Sequence, residues 1–268
     1  PTYVHVPSAG LLRMFIDNGL KRFVFEGRES GGHIGPICSF VLWDMMIDIL
    51  LASRTLARSA EEYHVLFAGG IHDALSSAMI SALAAPLAKR GIRVGIQIGT
   101  AYLFTDEAVE HGAIVKNYQQ EALKATYTAT LTFGPGHAIR CIDNPFAKAF
   151  RAKKAQLFNE GVPVAEVSTQ MEFFTAGRAV IACKGLKMKN LVADQNPDHP
   201  EYETASRKEQ HSEGMYLIGQ VSPLRDRTLS IRNLHQEVIV QGTQKLETYA
   251  AERISAEPAD RTEHPCDV

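Results

Sequence analysis

The chain has 268 residues and a mass of 29.5 kDa; 45% of its residues are hydrophobic and 22% are charged, which suffices for one large domain or two modest ones and excludes disorder throughout. A formal net charge of -2 at pH 7, without a sustained Lys/Arg stripe, argues against a nucleic-acid partner. No apolar stretch reaches the roughly 20 residues that span a bilayer, and the first residues lack the order of a signal peptide, so we expect a cytoplasmic protein.

The first hundred residues alternate β-branched or aromatic runs with helical patterns, which is typical of βα units with parallel strands. A first strand is predicted at Thr2–Val6 and is followed by an amphipathic helix that Ser8 caps and Gly19 ends. A second strand is predicted at Arg22–Phe25. It leads directly into a glycine-rich loop.

Two more βα units are predicted after that loop. An amphipathic helix over Ser39–Ala60 precedes a third strand at His64–Ala68, which ends in the tight turn Gly69-Gly70-Ile71. An alanine-rich helix then extends from a cap at Asp73 to Arg90. The fourth strand is predicted at Val94–Ile98, directly before Gly99 and Thr100.

Helical patterns dominate from about residue 105 onward. They predict helices over Asp106–Ala125, Pro145–Asn159 and Val167–Cys183, and later over Ser212–Val221 and Ile231–Arg253. The threonine-rich run at 125–132 is β-prone, and its structure stays open. Residues 191–210 are polar and contain proline, which predicts an exposed loop.

These patterns divide the chain into four parts. We predict βα barrel units with a phosphate site at 1–104, a helical cover or substrate domain at 105–190, a loop with returning helices at 191–255, and a linker or tail at 256–268. Because Pro1 is not an initiator methionine, we also expect the sequence to be a segment of something larger.

The cysteines are too far apart for a zinc site or a disulfide framework. We expect reduced thiols and no metal site from these residues: Cys38, Cys141, Cys183 and Cys266. Trp43, Met45 and Met46 have helical spacing and are predicted to lie in the core.

The glycine pairs carry the strongest functional signal. Parallel βα strands place their binding loops at the carboxyl ends, so the backbone N–H groups of Gly31-Gly32, Gly69-Gly70 and Gly99-Thr100 should converge. Converging N–H groups favour an anion, and the helical starts at Asp73 and Ala101 should add to this attraction. A single phosphate site favours the mononucleotide FMN over a dinucleotide.

His33 is the candidate for chemistry, because histidine exchanges protons near neutral pH. A lone histidine is more often a hydrogen-bonded structural residue, but this one lies between Gly32 and Gly35 and lacks the apolar neighbours of a core position. Glu26 and Glu29 are predicted to be structural, binding backbone N–H groups or a nearby arginine. His72 either lines the site or faces solvent at a helix start; the sequence leaves both open.

Three motifs resemble the nitronate monooxygenase and 2-nitropropane dioxygenase-like flavoproteins, which include FMN-dependent enoyl-acyl-carrier-protein reductases. They are the loop Glu29–Gly35, the turn Phe67–Ile71 and the segment Ile98–Thr105. The resemblance extends over residues 1 to about 245 and implies the C-terminal half of a TIM (β/α)8 barrel, four parallel βα units followed by a mainly helical cover domain. The sequence departs from the family pattern at residues 134–140.

A subgroup associated with polyketide and polyunsaturated fatty-acid synthases is more similar still. The stretches that carry this likeness are Phe25–Glu29, Ser39–Trp43 and Glu213–Gln220. Family members have four earlier barrel strands, so the resemblance implies that a missing N-terminal half-barrel, or other synthase domains, would act as partners.

The resemblance implies that FMN binds here, with NADH or NADPH as reductant. The cofactor-binding residues that it implies are Gly31, Gly32, Ala68, Gly69, Gly70, Gly99 and Thr100. His33 would be the catalytic acid or base that faces the substrate. The favoured activity is reduction of an enoyl thioester bound to an acyl carrier protein. Oxidation of a small nitro compound and a non-catalytic docking module are the alternatives.

Overall fold

A computed structural model describes residues 2–54, 56, 59–134, 136–189 and 201–255. The strands are β1 (Val4–His5), β2 (Arg22–Glu26), β3 (Gly32–Ile34), β4 (His64–Ala68), β5 (Arg93–Gln97), β6 (Thr128–Gly134), β7 (His137–Ile142), β8 (Leu186–Met188) and β9 (Tyr202–Thr204). The helices of the first half are α1 (Ala9–Asp17), α2 (Ser39–Ala52), α3 (Ala74–Lys89), α4 (Asp106–Glu110) and α5 (Lys116–Lys124). Those of the second half are α6 (Pro145–Asn159), α7 (Val164–Thr175), α8 (Arg178–Lys184), α9 (Arg207–Glu213), α10 (Ile231–His235) and α11 (Gly242–Ser255).

A parallel sheet in the order β1-β2-β4-β5 organises the first hundred residues. Each strand pairs in parallel with its neighbour, and the intervening helices return the chain to the start of the next strand. This confirms the predicted α/β class and its four parallel βα units. The first strand is shorter than predicted: β1 contains only Val4 and His5, although the Val6 N–H still donates to the Val24 carbonyl at 2.8 Å.

The core of this half is built where the sheet meets α1, α2 and α3. Phe67 is fully buried, and its ring makes edge contacts with Phe25 and Trp43 at centroid distances of 5.7 Å each. The Trp43 indole N–H donates to the Phe25 carbonyl at 3.1 Å, so its polar group is satisfied. Trp43 and Met46 are buried as predicted. The prediction for Met45 is wrong: it is 37% exposed on the outward face of α2.

We expect Phe67→Ala to lower the free energy of unfolding by about 3–5 kcal/mol, because it removes a buried ring from close-packed surroundings. Urea denaturation would measure the change. Phe173→Ala is the control, since Phe173 is 67% exposed and its loss should change stability by less than about 0.5 kcal/mol. Equal effects of the two substitutions would contradict this assignment of the core.

The helix predicted over Ser39–Ala60 is wrong at its C-terminal end, because α2 stops at Ala52. The next residue, Ser53, has an extended backbone with φ -73° and ψ 125°. Two other predicted helices are divided at glycines with positive φ. Gly112 (φ +68°) separates α4 from α5, and Gly177 (φ +73°) separates α7 from α8.

A second, antiparallel sheet has the order β3-β7-β6. The β-prone run at 125–132 therefore enters a strand. Strand β7 was not predicted, because most of its residues are buried and it lacks the polar and apolar alternation of a half-exposed strand. Strand β3 lies within the stretch predicted as a glycine loop, and it forms only through pairing with β7.

The later part of the chain differs most from prediction. The helix predicted over Ser212–Val221 is wrong: α9 ends at Glu213, and the chain then extends so that Leu217 bridges to Cys141. Of the loop predicted at 191–210, residues 201–210 contain β9 and the start of α9, while 190–200 lie outside the described residues. The helical prediction over Ile231–Arg253 is confirmed, with a π-helical segment at Gln236–Gln241.

Other expectations concern cysteines, membrane spans and domains. Cys38, Cys141 and Cys183 are free thiols, and Cys266 lies outside the described residues together with the tail predicted at 256–268. Burial raises the pKa of the Cys141 thiol to about 12. Each helix in the described ranges is too short or too polar to cross a membrane. The division into domains stays a prediction.

Candidate cofactor site

A cavity of about 300 Å³ lies at the carboxyl ends of the parallel strands. The predicted residues that line it are Gly31 after β2; Ala68 at the end of β4, followed by Gly69 and Gly70; and Gly99 and Thr100 after β5. The loops after these three strands therefore open into one cavity, on the side of the sheet where parallel strands place their ligands.

The strand register builds the floor of this cavity. Glu26 pairs with Ala68, and Ala68 pairs with Gln97, so the last residues of three adjacent strands form one row. All three residues line the cavity. Gln97 was not singled out in the sequence, because the fourth strand was predicted at Val94–Ile98, and β5 begins and ends one residue earlier.

The two positions after β4 require glycine for different structural reasons. At Gly69 (φ +109°) a Cβ atom would lie 2.6 Å from the Ser39 hydroxyl oxygen, so packing excludes a side chain. Among the described residues, a Cβ atom at Gly70 (φ +81°) would meet only the Glu29 side chain, at 3.7 Å, and one at Gly99 would meet nothing within 4 Å. Gly70 and Gly99 thus leave bare backbone beside the cavity, as a close approach by a phosphate requires.

Two carboxylates line the cavity, and both have partners. Glu29 accepts hydrogen bonds from the Ser39 N–H at 2.8 Å and from the Ser39 hydroxyl, which places it at the start of α2. This agrees with its predicted structural role. Glu26 bonds to His5 Nδ1 at 2.6 Å rather than to a backbone N–H group or an arginine. Its side chain is 20% exposed, against 56% for His5.

His33 lies on β3, opposite Ile139, and is exposed. Among the described residues, the cavity lining includes Gly31 but neither Gly32 nor His33. The His33 ring stacks on His137, with centroids 5.4 Å apart and ring planes 12° apart, and His137 stacks in turn on Phe133. The stack fixes the orientation of the His33 imidazole. His33 is two residues along the chain from Gly31, which lines the cavity.

His72 follows the glycine turn but does not line the cavity. It is half-buried, and its Nδ1 atom has no hydrogen-bond partner among the described residues. Burial lowers the pKa of His72. The neighbouring Asp73 caps α3 as predicted and accepts a hydrogen bond from the Ser76 N–H at 2.8 Å.

The expected contribution of helix starts to anion binding needs correction. Asp73 and Ser76 form a capping box, so Asp73 places a carboxylate at the α3 terminus and occupies one of its N–H groups. Residues Thr100–Phe104 form only a short 3-10 turn. The loop N–H groups and the Thr100 hydroxyl are therefore the available donors. They fit a phosphate held by neutral donors, and no lysine or arginine among the described residues lines the cavity.

Sequence reasoning missed one wall of the cavity. Leu217 and Val221, from the stretch predicted as a helix, both line it. The one available signal was the glycines at 214 and 219, which are poor helix formers. The contacts that hold this stretch extended are long-range, so periodicity did not reveal them.

A wider depression of about 860 Å³ lies at the opposite end of the sheet. Its wall includes Lys21, Glu62, His64 and Arg93, which come from the amino-terminal ends of the strands and the turns before them. Parallel sheets bind their ligands at the other edge. The smaller, glycine-lined cavity is therefore the candidate cofactor site.

Comparisons with known proteins agree with this architecture. A family model described as nitronate monooxygenase matches residues 2–242. In solved structures, FabK from Thermotoga maritima has a TM-score of 0.61 at 21% identity, with 93% of this chain and 63% of that chain covered. A point mutant of the same FabK has a TM-score of 0.60 at 20% identity, with 93% and 62% covered. At these identities the likeness shows the fold.

One curated relative, from Mycobacterium tuberculosis, is named (3aS,4S,5R,7aS)-5-hydroxy-7a-methyl-1-oxo-octahydro-1H-indene-4-carboxyl-CoA dehydrogenase. It is 27% identical over 139 residues, which is 51% of this chain and 35% of the relative. The chain thus spans about a third of that relative and less than two thirds of the FabK chains. Since the family model matches most of its length, the chain belongs to the nitronate monooxygenase family.

Proposed function

We propose that the chain forms the FMN-binding part of an oxidoreductase that reduces enoyl thioesters, with NADH or NADPH as reductant. The observation that carries this proposal is the convergence of the loops after β2, β4 and β5 on one glycine-lined cavity. The chain belongs to the nitronate monooxygenase family, and its motifs resemble those of the family's flavoproteins, which supports the same cofactor.

The positions of the residues around the cavity suggest a role for each of them within this proposal. Gly69, Gly70, Gly99 and Thr100 would hold the phosphate through their N–H groups, because they line the cavity and no lysine or arginine in the described part of the chain does. Gly31 and Ala68, which line the cavity, would lie beside the ring, with Gly32 next to Gly31 on β3 and outside the lining. FMN, when bound, supplies the electron pair that reaches the β-carbon of the substrate. His33 would hold the proton that the α-carbon takes.

The choice of a thioester rests on two observations. The sequences of Phe25–Glu29 and Glu213–Gln220 resemble the corresponding stretches of synthase-associated enoyl reductases. The Mycobacterium tuberculosis relative is named a dehydrogenase of a carboxyl-CoA compound, which is itself a thioester. An acyl-carrier-protein thioester is the substrate that we propose. The other synthase domains, or a chain that contributes the rest of the barrel, are the partners.

Oxidation of a nitro compound is the second candidate, favoured by the description of the matching family. In that reaction His33 would take a proton from the nitro compound. A non-catalytic module is the third, favoured by the partial coverage of the solved chains. The non-catalytic module would bind no flavin. The two enzymes differ in their substrates, since an enoyl thioester takes electrons from the reduced flavin and a nitro compound gives electrons to the oxidised flavin.

The experiment begins with the purified protein, denatured so that any bound flavin is released and identified. We expect FMN in about equimolar amount. In anaerobic stopped-flow mixing, crotonyl-CoA should reoxidise the reduced flavin, and a nitronate should leave the oxidised flavin unreduced. Reduction of the oxidised flavin by the nitronate, with no reoxidation of the reduced flavin by crotonyl-CoA, would favour nitro-compound oxidation. A colourless protein that takes up no added FMN would contradict both enzymatic proposals.

A further inference from the structure

The extended stretch at residues 214–221, here the crossing segment, passes directly over two of the three loops. The Gly219 N–H donates to the Thr100 hydroxyl oxygen at 2.8 Å, and the Gln220 N–H donates to the Glu29 carbonyl at 2.8 Å. The crossing segment therefore connects the loop after β2 to the turn after β5.

Backbone packs against backbone at this crossing. A Cβ atom on Gly219 would lie 2.6 Å from the Glu29 carbonyl oxygen and 2.8 Å from the Thr100 hydroxyl oxygen. A Cβ atom on Gly31 would lie 2.6 Å from the Ile218 carbonyl carbon. Neither glycine has a positive φ, so space and not backbone conformation excludes a side chain at both positions.

The hydrogen bond from Gly219 determines what the Thr100 hydroxyl can do. A threonine hydroxyl has one proton to donate and two lone pairs that accept. The Gly219 N–H occupies one lone pair, and no acceptor among the described residues takes the proton. Since Thr100 also lines the cavity, its hydroxyl proton is available to an anion there.

We propose that Gly219 is a positioning residue of the phosphate site, and that its N–H holds the Thr100 hydroxyl so that the hydroxyl donates to the FMN phosphate. This inference rests on the proposed function and deepens it, because it adds a side-chain donor and a second glycine-rich segment to the loop N–H groups. A hydrogen bond to a charged group contributes about 1.5–3 kcal/mol, which corresponds to roughly a 10- to 100-fold effect on affinity.

The test compares FMN with riboflavin, which lacks the phosphate, in binding to the flavin-free protein by fluorescence quenching. We expect Thr100→Val to raise the Kd for FMN about 10-fold or more while the Kd for riboflavin stays within about threefold. Thr100→Ser keeps the hydroxyl and should bind FMN nearly as the wild type does. Gly219→Ala should repeat the effect of Thr100→Val.

A spectroscopic measurement covers the case in which Gly219→Ala does not fold. In ¹⁵N-labelled wild-type protein, inorganic phosphate should shift the Gly219 amide resonance, since that N–H is bonded to the hydroxyl that changes partner. In Thr100→Val the same titration should leave this resonance unchanged.

The outcomes separate the two proposals. If the wild type and Thr100→Val bind FMN with equal affinity, the role of Gly219 and Thr100 is overturned while the FMN site stands. The same holds if Thr100→Val raises the Kd for FMN and the Kd for riboflavin by the same factor. If the Gly219 resonance does not respond to phosphate in the wild type, the positioning role is likewise overturned. If the wild type binds neither flavin, both proposals fail.

Discussion

Gly70→Val is expected to raise the Kd for FMN about 100-fold or more, because one or two hydrogen bonds to the phosphate would be lost at about 1.5–3 kcal/mol each. Gly70 has φ +81°, and its backbone faces the cavity, with the nearest neighbour of a built Cβ atom 3.7 Å away on Glu29. A valine there would place methyl groups where the phosphate must approach. Fluorescence titration of the flavin-free protein would measure the loss.

Gly112→Val is the matched control for backbone strain. Gly112 has φ +68°, and no atom of the described residues lies within 4 Å of a Cβ atom built on it. It lies between α4 and α5, outside the cavity lining. Both substitutions force a β-branched residue into the left-handed region, at a cost of about 1–2 kcal/mol each. Their melting temperatures should therefore fall by similar amounts. If the Kd for FMN rises equally in both variants, strain and not the phosphate contact is responsible.

His33→Ala is expected to slow turnover about 100-fold or more while flavin content stays at the wild-type level, the usual loss when a general acid or base is removed. The expectation follows from the proposed function. His33 itself is exposed on β3, two residues along the chain from the cavity-lining Gly31, and its ring stacks on His137. Steady-state kinetics with an enoyl thioester, together with the absorbance of bound flavin, would test it.

A second variant, His137→Phe, tests whether the neighbouring imidazole and not His33 donates the proton. A phenyl ring keeps an aromatic partner for His33 but removes the neighbouring imidazole, whose Nδ1 lies 3.3 Å from a Glu172 carboxylate oxygen. If His33 is the proton donor, His137→Phe should keep most of the turnover. A wild-type rate in His33→Ala, combined with a large loss in His137→Phe, would transfer the role to His137.

The convergence of the glycine loops could be predicted from sequence because it follows from local patterns and one general property of parallel sheets. The strands at Arg22–Glu26, His64–Ala68 and Arg93–Gln97 are short β-prone runs between helical patterns, and each ends at a glycine-containing loop. Once they are parallel neighbours, their carboxyl ends lie on the same edge. The capping role of Asp73 was likewise a local matter.

The long-range parts of the site could not be predicted. Strand β3 forms because Gly32 to Ile34 pair with a hairpin more than a hundred residues later, so His33 lies on a paired strand and outside the cavity lining. The crossing segment is extended because Gly219 and Gln220 bond to Thr100 and Glu29, against a local pattern that favours helix. In both places tertiary hydrogen bonds override local propensity.

The central claim is that the loops after β2, β4 and β5 jointly hold one FMN molecule, with its phosphate on the loops after β4 and β5. A titration of ¹⁵N-labelled, flavin-free protein with FMN tests this claim most directly. The account predicts that the amide resonances of Gly31, Gly70 and Thr100 shift together, at a single saturating concentration, while that of Arg93 stays in place. Shifts confined to Arg93 and Lys21, at the amino-terminal edge of the sheet, would contradict it.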